Sequence, residues 1–235
     1  MCTVSFVSSN DTIIITSNRD EQVLRPAIAP KNYHINDKKI FFPKDPRAGG
    51  TWYAVDEKGN VLVLLNGAAE KHQWNPPYSR SRGLIVLDLI SSPSVLKTWQ
   101  HIDLDNIEPF TLVSYENKKL HQLRWNGIDK EIIALNAAQN HIWSSSTLYS
   151  NEIRDQRAQW FAVFLETRPE VTAEEMFRFH RYTETENQHF GLVINREEQL
   201  KTLSITQTVI EKNKIALHYH DLVAQKDFSN TFIHV

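Results

Sequence analysis

Segments rich in β-formers open and close this chain while helical patterns occupy its later middle, and that order restricts the fold more than any other feature. Thr3–Val7 is β-branched and aromatic, Ser8–Asp11 is turn-like, and Thr12–Thr16 is β-rich again, so the start reads as a hairpin. From Arg25 to Pro46 prolines punctuate the chain and an irregular stretch is expected. Thr51–Val55 and Val61–Leu65 read as strands around a turn at Asp56–Asn60, and residues 70–82 as a polar loop. Gly83–Ile90 is nearly all apolar and reads as a buried helix, with a second short helix from Pro93 to Gln100. Strands are predicted at Phe110–Tyr115, Leu120–Trp125, Ile132–Leu135 and Ile142–Ser145.

Ile153, Trp160, Phe161, Phe164 and Leu165 share one face of a helix from Asn151 to Glu166. Another helix is predicted from Thr172 as N-cap to Arg181, with Glu175 completing a capping box and Val171 stapled to Met176. Closing strands are predicted at Gly191–Ile194, Thr202–Thr208 and Ile215–His220. Together these predict a single α+β domain over residues 1–235, with two antiparallel sheets packed face to face and covered by helices.

A chain of 235 residues can bury a sizeable core. Net charge is −2 with acids and bases intermixed, which argues against electrostatic capture of nucleic acid or an anionic membrane surface. No apolar run approaches the length of a membrane span. The start lacks a basic segment followed by an apolar run, and a single cysteine suits a reducing compartment, so a cytoplasmic location is expected.

That cysteine is residue 2. Removal of Met1 would leave a thiol and a free α-amine on one residue, with reference pKa values of about 8.5 and 7.7–8.0. The amine can then serve as base for the thiol without a histidine. The plainer alternative is chance placement at a fraying end. In an antiparallel hairpin the start of the first strand lies beside the end of the second, so Cys2 is expected next to Arg19 and Asp20, just past the second strand. Those two side chains also suit a structural ion pair capping a turn, and Asn66 before Gly67 suits plain turn chemistry. His218 and His220 alternate along a predicted strand and share a face. With Asp221 the only obvious nearby acid, a solvated or hydrogen-bonded pair is expected in place of a metal site. No metal or cofactor is expected.

Several ordered motifs resemble the NRDE family, which includes the transport and Golgi organisation protein 2 group. They are Met1-Cys2-Thr3 opening a strand, Asn18-Arg19-Asp20-Glu21, Arg25-Pro26, Gly49-Gly50-Thr51-Trp52, Leu64-Leu65-Asn66 and Ser81-Arg82-Gly83. Trp143-Ser144-Ser145 and Leu203-Ser204-Ile205-Thr206 extend the likeness. That family is similar to N-terminal nucleophile hydrolases of the bile salt hydrolase and penicillin V acylase branch. The resemblance implies a four-layer αββα sandwich and acyl transfer from a linear amide or thioester of a small acyl compound. It implies Cys2 as nucleophile, Arg19 as the charge that lowers its thiol pKa, Asp20 as the acceptor that orients it, and Asn66 as a donor to the oxyanion. Trp52, Arg82, Ser145 and His189 are the candidate substrate-binding residues. The hydrolases carry a second oxyanion Asn where this chain has Trp143-Ser144-Ser145-Ser146-Thr147, so a hydroxyl from Ser145 or Ser146 is the available donor. Losing one such donor costs roughly 10²–10³ in rate. The alternative reading is therefore a non-catalytic binding or trafficking protein for a lipid-like or haem-like ligand, with Cys2 as a soft ligand to iron.

Overall fold

A computed structural model describes residues 3–233; Cys2, and with it the central expectation above, lies outside the described residues. The chain divides into two compact units, one made of the segments up to Pro26 and from Ala138 onward, the other of Ala27–Ala137. All strand pairings in both are antiparallel.

The first unit holds β1 (Thr3–Ser9), β2 (Thr12–Gln22), β10 (His141–Ser144), β11 (Asn195–Arg196), β12 (Leu200–Glu211), β13 (Lys214–Asp221) and β14 (Lys226–Ile233). Its sheet runs β10-β1-β2-β12-β13-β14, with β11 beside β12. The opening hairpin is real, and its turn is only Asn10-Asp11, both at positive φ (48° and 59°). Two consecutive left-handed residues match the strand twist, and Asn and Asp tolerate that region best after glycine.

Here two expectations are corrected. β2 does not stop at Thr16 but continues through Asn18, Arg19 and Asp20, all buried, with Asn18 between β1 and β12 and Arg19 and Asp20 paired to β12. Gly191–Ile194 is not a strand, because Leu192 N–H bonds to Thr183 O and Gly191 N–H to Asn187 O within a loop. β14 was not foreseen; its polar sequence suits the exposed edge it occupies.

Helices α3 (Asn151–Glu166) and α4 (Ala173–Tyr182) belong to the same unit. The capping box at Thr172 and Glu175 forms as predicted. Val171 and Met176 share a buried cluster with Phe161, Phe179, Leu192 and, from the sheet, Val7 and Ile14. Val7 and Ile14 are direct cross-strand partners, so alternation places Thr3, Ser5, Thr16 and Asn18 on the same helix-covered face.

The second unit is a meander, β3 (Ile28–Ile35), β4 (Lys38–Lys44), β5 (Tyr53–Asp56), β6 (Val61–Asn66), β7 (Phe110–Glu116), β8 (Lys119–Trp125) and β9 (Lys130–Leu135), paired in sequence order. β3 and β4 replace the irregular stretch expected from Arg25 to Pro46. The turn Asn36-Asp37 takes the same double positive φ (49° and 63°), and Pro30 is accommodated because β3 is an edge strand. Helices α1 (Arg82–Ile90) and α2 (Val95–His101) belong here, close to their predicted bounds. The chain enters α1 against the segment before β5. A Cβ on Gly50 would lie 2.3 Å from the Gly83 carbonyl carbon and 2.6 Å from the Leu84 nitrogen. Both obstacles are backbone, so Gly50→Ala is expected to cost about 3 kcal/mol, the upper range for overpacking, read from urea denaturation. No described helix is long and apolar enough to cross a membrane.

Candidate active site

The row Ser144–Thr3–Asn18–Ile205 runs across β10, β1, β2 and β12 at one end of the first unit's sheet. Asn18 is followed by Arg19 and Asp20, Ser144 by Ser145, and Thr3 is preceded in sequence by Cys2. At this end β12 carries a bulge. Asp20 pairs with Thr202 and Arg19 with Ser204, which leaves Leu203 without a cross-strand partner in β2. Such a bulge re-aims neighbouring side chains.

Asp20 is 2 % exposed, and both its oxygens accept hydrogen bonds from hydroxyls. Tyr149 Oη donates to Oδ2 at 2.8 Å. Thr202 Oγ1 donates to Oδ1 at 2.5 Å and itself accepts from Ile194 N–H at 2.9 Å, so its one proton is committed to the carboxylate. Arg19 is equally buried and donates through Nη1 to Arg25 O at 2.9 Å. Arg19 and Asp20 each have hydrogen-bond partners of their own.

Behind this row lies a polar layer that the sequence reading missed. His180 Nδ1 sits 2.5 Å from Asn18 Oδ1, and its Nε2 2.7 Å from Ser5 Oγ. The Asn18 amide NH₂ is used on His180 O (3.1 Å) and Leu192 O (2.6 Å), so Oδ1 faces the ring and accepts from Nδ1–H. Nε2 is then the acceptor for Ser5. Burial first, and the nearby Arg157 charge second, push the His180 pKa down to about 3, which keeps the ring neutral. Ser, His and Asn stand in the contact order of a hydrolytic triad. Ser5, Asn18 and His180 are each 0 % exposed, so no substrate reaches them, and the relay ties β1 and β2 to α4.

Arg157 of α3 is also 0 % exposed. Its Nη1 donates to Thr3 Oγ1 at 2.6 Å, its Nε and Nη2 to Phe190 O at 3.1 Å, and Nη2 also to Gly191 O. Its Cζ lies 3.6 Å from the centroid of the Tyr149 ring. The sequence did hold a sign of both residues. Arg157 falls midway between Ile153 and Phe161 on the apolar stripe of α3, and His180 falls four residues after Met176. A polar residue at a core position of a helix is a request for buried partners.

The other predicted residues are placed as follows. Ser145 follows β10 and its hydroxyl contacts Thr147 Oγ1 at 2.9 Å. His189 is exposed on the loop before β11 and belongs to the surface of that loop. His218 and His220 share a face of β13; His220 Nδ1 meets Asp227 Oδ1 at 2.8 Å. In the second unit Asn66 ends β6, paired with Phe110, and Gly67 after it takes φ 84°. Trp52 is buried just before β5. Arg82 opens α1, ion-paired with Glu108 at 2.8 Å and donating to Pro109 O at 3.2 Å. A cavity of about 550 Å³ begins at Ala68, two residues past Asn66, and is lined also by Lys71, His72, Arg124 and Glu131.

A family model described as Transport and Golgi organisation 2 matches residues 1–223. The chain belongs to this family. Its match runs through both units, leaving β14 beyond it. No curated protein matches the sequence. Among solved structures, this family member is similar to the Caenorhabditis elegans ortholog of N-acylethanolamine-hydrolyzing acid amidase, at TM-score 0.62 and 11% identity over 88% of this chain and 92% of that one. It is also similar to a variant of the conjugated bile acid hydrolase of Clostridium perfringens, at TM-score 0.58 and 10% identity over 100% of this chain and 97% of that one. A second variant of the same enzyme matches at TM-score 0.51 and 11% identity, with the same coverage. Identities this low establish fold and nothing finer. The chain is α+β, with an antiparallel sheet and helices in each unit, and its likeness to these hydrolases, whose fold is the αββα sandwich, is one of fold.

Proposed function

We propose that the protein is an N-terminal cysteine hydrolase or acyltransferase acting on a linear amide or thioester of a small acyl compound. The observation that carries this reading is the Thr3–Asn18 pair at the end of the β1–β2 ladder, with buried Arg19 and Asp20 as the next two residues and Asp20 held through both oxygens. Cys2 precedes Thr3 by one residue. The fold is shared with an N-acylethanolamine-hydrolyzing acid amidase ortholog and a conjugated bile acid hydrolase.

In this reading Met1 is removed and the Cys2 α-amine takes the thiol proton. The thiolate attacks the acyl carbon, and the proton passes to the leaving group; water then releases the acyl group from sulfur. Asp20 orients the amine, and Arg19 favours the thiolate. The family resemblance assigns an oxyanion donor to Asn66, and Asn66→Ala is the variant that tests it, with an expected loss of roughly 10²–10³ in rate. A second reading, a non-catalytic binding or trafficking protein for a lipid-like or haem-like ligand, is favoured by the absence of an Asn from Trp143–Thr147.

Intact mass spectrometry of protein purified from its own cells reads both requirements. The expected mass lacks Met1, and a β-lactone or iodoacetamide adds one label that maps to Cys2 and vanishes in Cys2→Ala. A retained Met1, or a Cys2 that reacts no faster than free cysteine, sinks the hydrolase reading. Saturable haem or acyl-CoA binding that depends on Cys2 would then support the second reading.

A further inference from the structure

Arg157 makes contacts that a merely structural arginine has no reason to combine. A fully buried cation is costly and persists only where several acceptors hold it. Two of those acceptors, the Phe190 and Gly191 carbonyls, anchor it to the loop before β11. The remaining two contacts point at the candidate site from different sides. Nη1 fixes Thr3, the residue next to Cys2 in the chain, at 2.6 Å. The guanidinium carbon lies over the ring of Tyr149, 3.6 Å from its centroid, and that ring's hydroxyl is the donor to Asp20 Oδ2.

We propose that Arg157 is a positioning residue that sets the start of β1 and the Asp20 carboxylate relative to each other, by holding Thr3 with one nitrogen and the Asp20-bound Tyr149 with its face. The inference rests on the hydrolase reading for its purpose but not for its geometry. Arginine is required for both tasks at once: its fork reaches separate acceptors while its plane stacks on an aromatic ring. Lysine supplies the charge without the fork or the plane. Tyr149 in turn starts from Ser145, whose carbonyl accepts the Tyr149 N–H at 3.2 Å, so the ring is fixed at its backbone as well as its face.

The test uses Arg157→Met, Arg157→Lys and Tyr149→Phe in the Met1-processed full chain, with two readouts. The first is the pH profile of Cys2 alkylation by iodoacetamide. Arg157→Met is expected to lower the rate about tenfold or more, the scale on which sub-ångström misplacement acts, and Tyr149→Phe to lower it less, because Thr3 is still held. Arg157→Lys is expected to recover part of the loss. The second is the ¹³C signal of the Asp20 carboxyl at neutral pH. It is expected to move in Arg157→Met and in Tyr149→Phe, and Arg157→Met is expected to have no further effect once the Tyr149 hydroxyl is gone. An Asp20 signal unchanged in folded Arg157→Met, or one that moves equally with and without the Tyr149 hydroxyl, overturns the proposal. If Arg157→Met does not fold, Arg157→Lys carries the same comparison. A wild-type Cys2 that is inert overturns the hydrolase reading alone, since the Asp20 signal still decides whether Arg157 positions that carboxylate.

Discussion

Acidifying the protein from pH 7 to pH 3 is expected to remove about 4 kcal/mol of stability through His180 alone. The ring is neutral in the fold, with its pKa pushed down from 6.5 to about 3, whereas the unfolded chain binds the proton at the ordinary value. Between those two pH values the unfolded state therefore holds one more proton than the native state. Stability is complete above about pH 6.5 and falls as pH drops through the window, by about 1.4 kcal/mol per unit. The two tautomer-defining contacts explain why the fold cannot absorb the proton. Nδ1–H is already donated to Asn18, so the added proton must go to Nε2, and that displaces the hydrogen bond from Ser5. Arg157 adds a second, unfavourable positive charge. Urea denaturation at intervals from pH 7 to 4 should show this slope in the wild type. In His180→Gln it should be shallower by one proton, although the variant is less stable at neutral pH. Parallel curves for the two proteins would remove His180 from the explanation.

The same residues show what was legible in the sequence and what was not. Thr3–Val7 and Ile14–Thr16 announce a hairpin because β-branched and aromatic side chains favour a pleated, buried surface. The run Asn18-Arg19-Asp20 lacks that signature and was placed beyond the strand. It is in the strand with Asn18 and Asp20 partnered far away in sequence, Asn18 by His180 and Leu192 and Asp20 by Tyr149 and Thr202. Such partners lie up to 182 positions away and leave no local trace. β3 and β4 were missed for a different reason. Proline was weighed as a breaker, but an edge strand has no ladder on one side to lose. The α4 capping box, by contrast, is a four-residue device, and it was read correctly from four residues. The pairing of Thr3 with Asn18, the residue before Arg19, follows from the hairpin rule alone. The donors to Asp20 do not, since Tyr149 and Thr202 reach it only when β12 and the segment after β10 are in place.

Gly191→Ala is expected to be among the most damaging single changes in the first unit, at about 3–5 kcal/mol. A Cβ there would lie 2.2 Å from Glu184 O and 2.7 Å from Asn187 O, both backbone atoms, so the loop itself must move. Its φ does not lie in the left-handed region, so the cost is contact and not strain. Overpacking of this kind costs about 1–3 kcal/mol. The rest follows from what the loop carries. Gly191 O accepts from Arg157, and Leu192 O takes the Asn18 amide at 2.6 Å. A hydrogen bond from a charged donor is worth about 1.5–3 kcal/mol, and a buried guanidinium left short of an acceptor forfeits that. Because Arg157 also holds Thr3 and Tyr149, the loss should reach the candidate site without any contact between residue 191 and Asp20. Slower iodoacetamide labelling of Cys2 should therefore accompany the lowered urea midpoint. The comparison variant is Glu184→Ala, which trims an exposed side chain and leaves the obstructing carbonyl in place. It should leave both quantities within experimental scatter, and a Gly191→Ala protein as stable as that control would mean the loop yields at no cost and does not hold Arg157 in place.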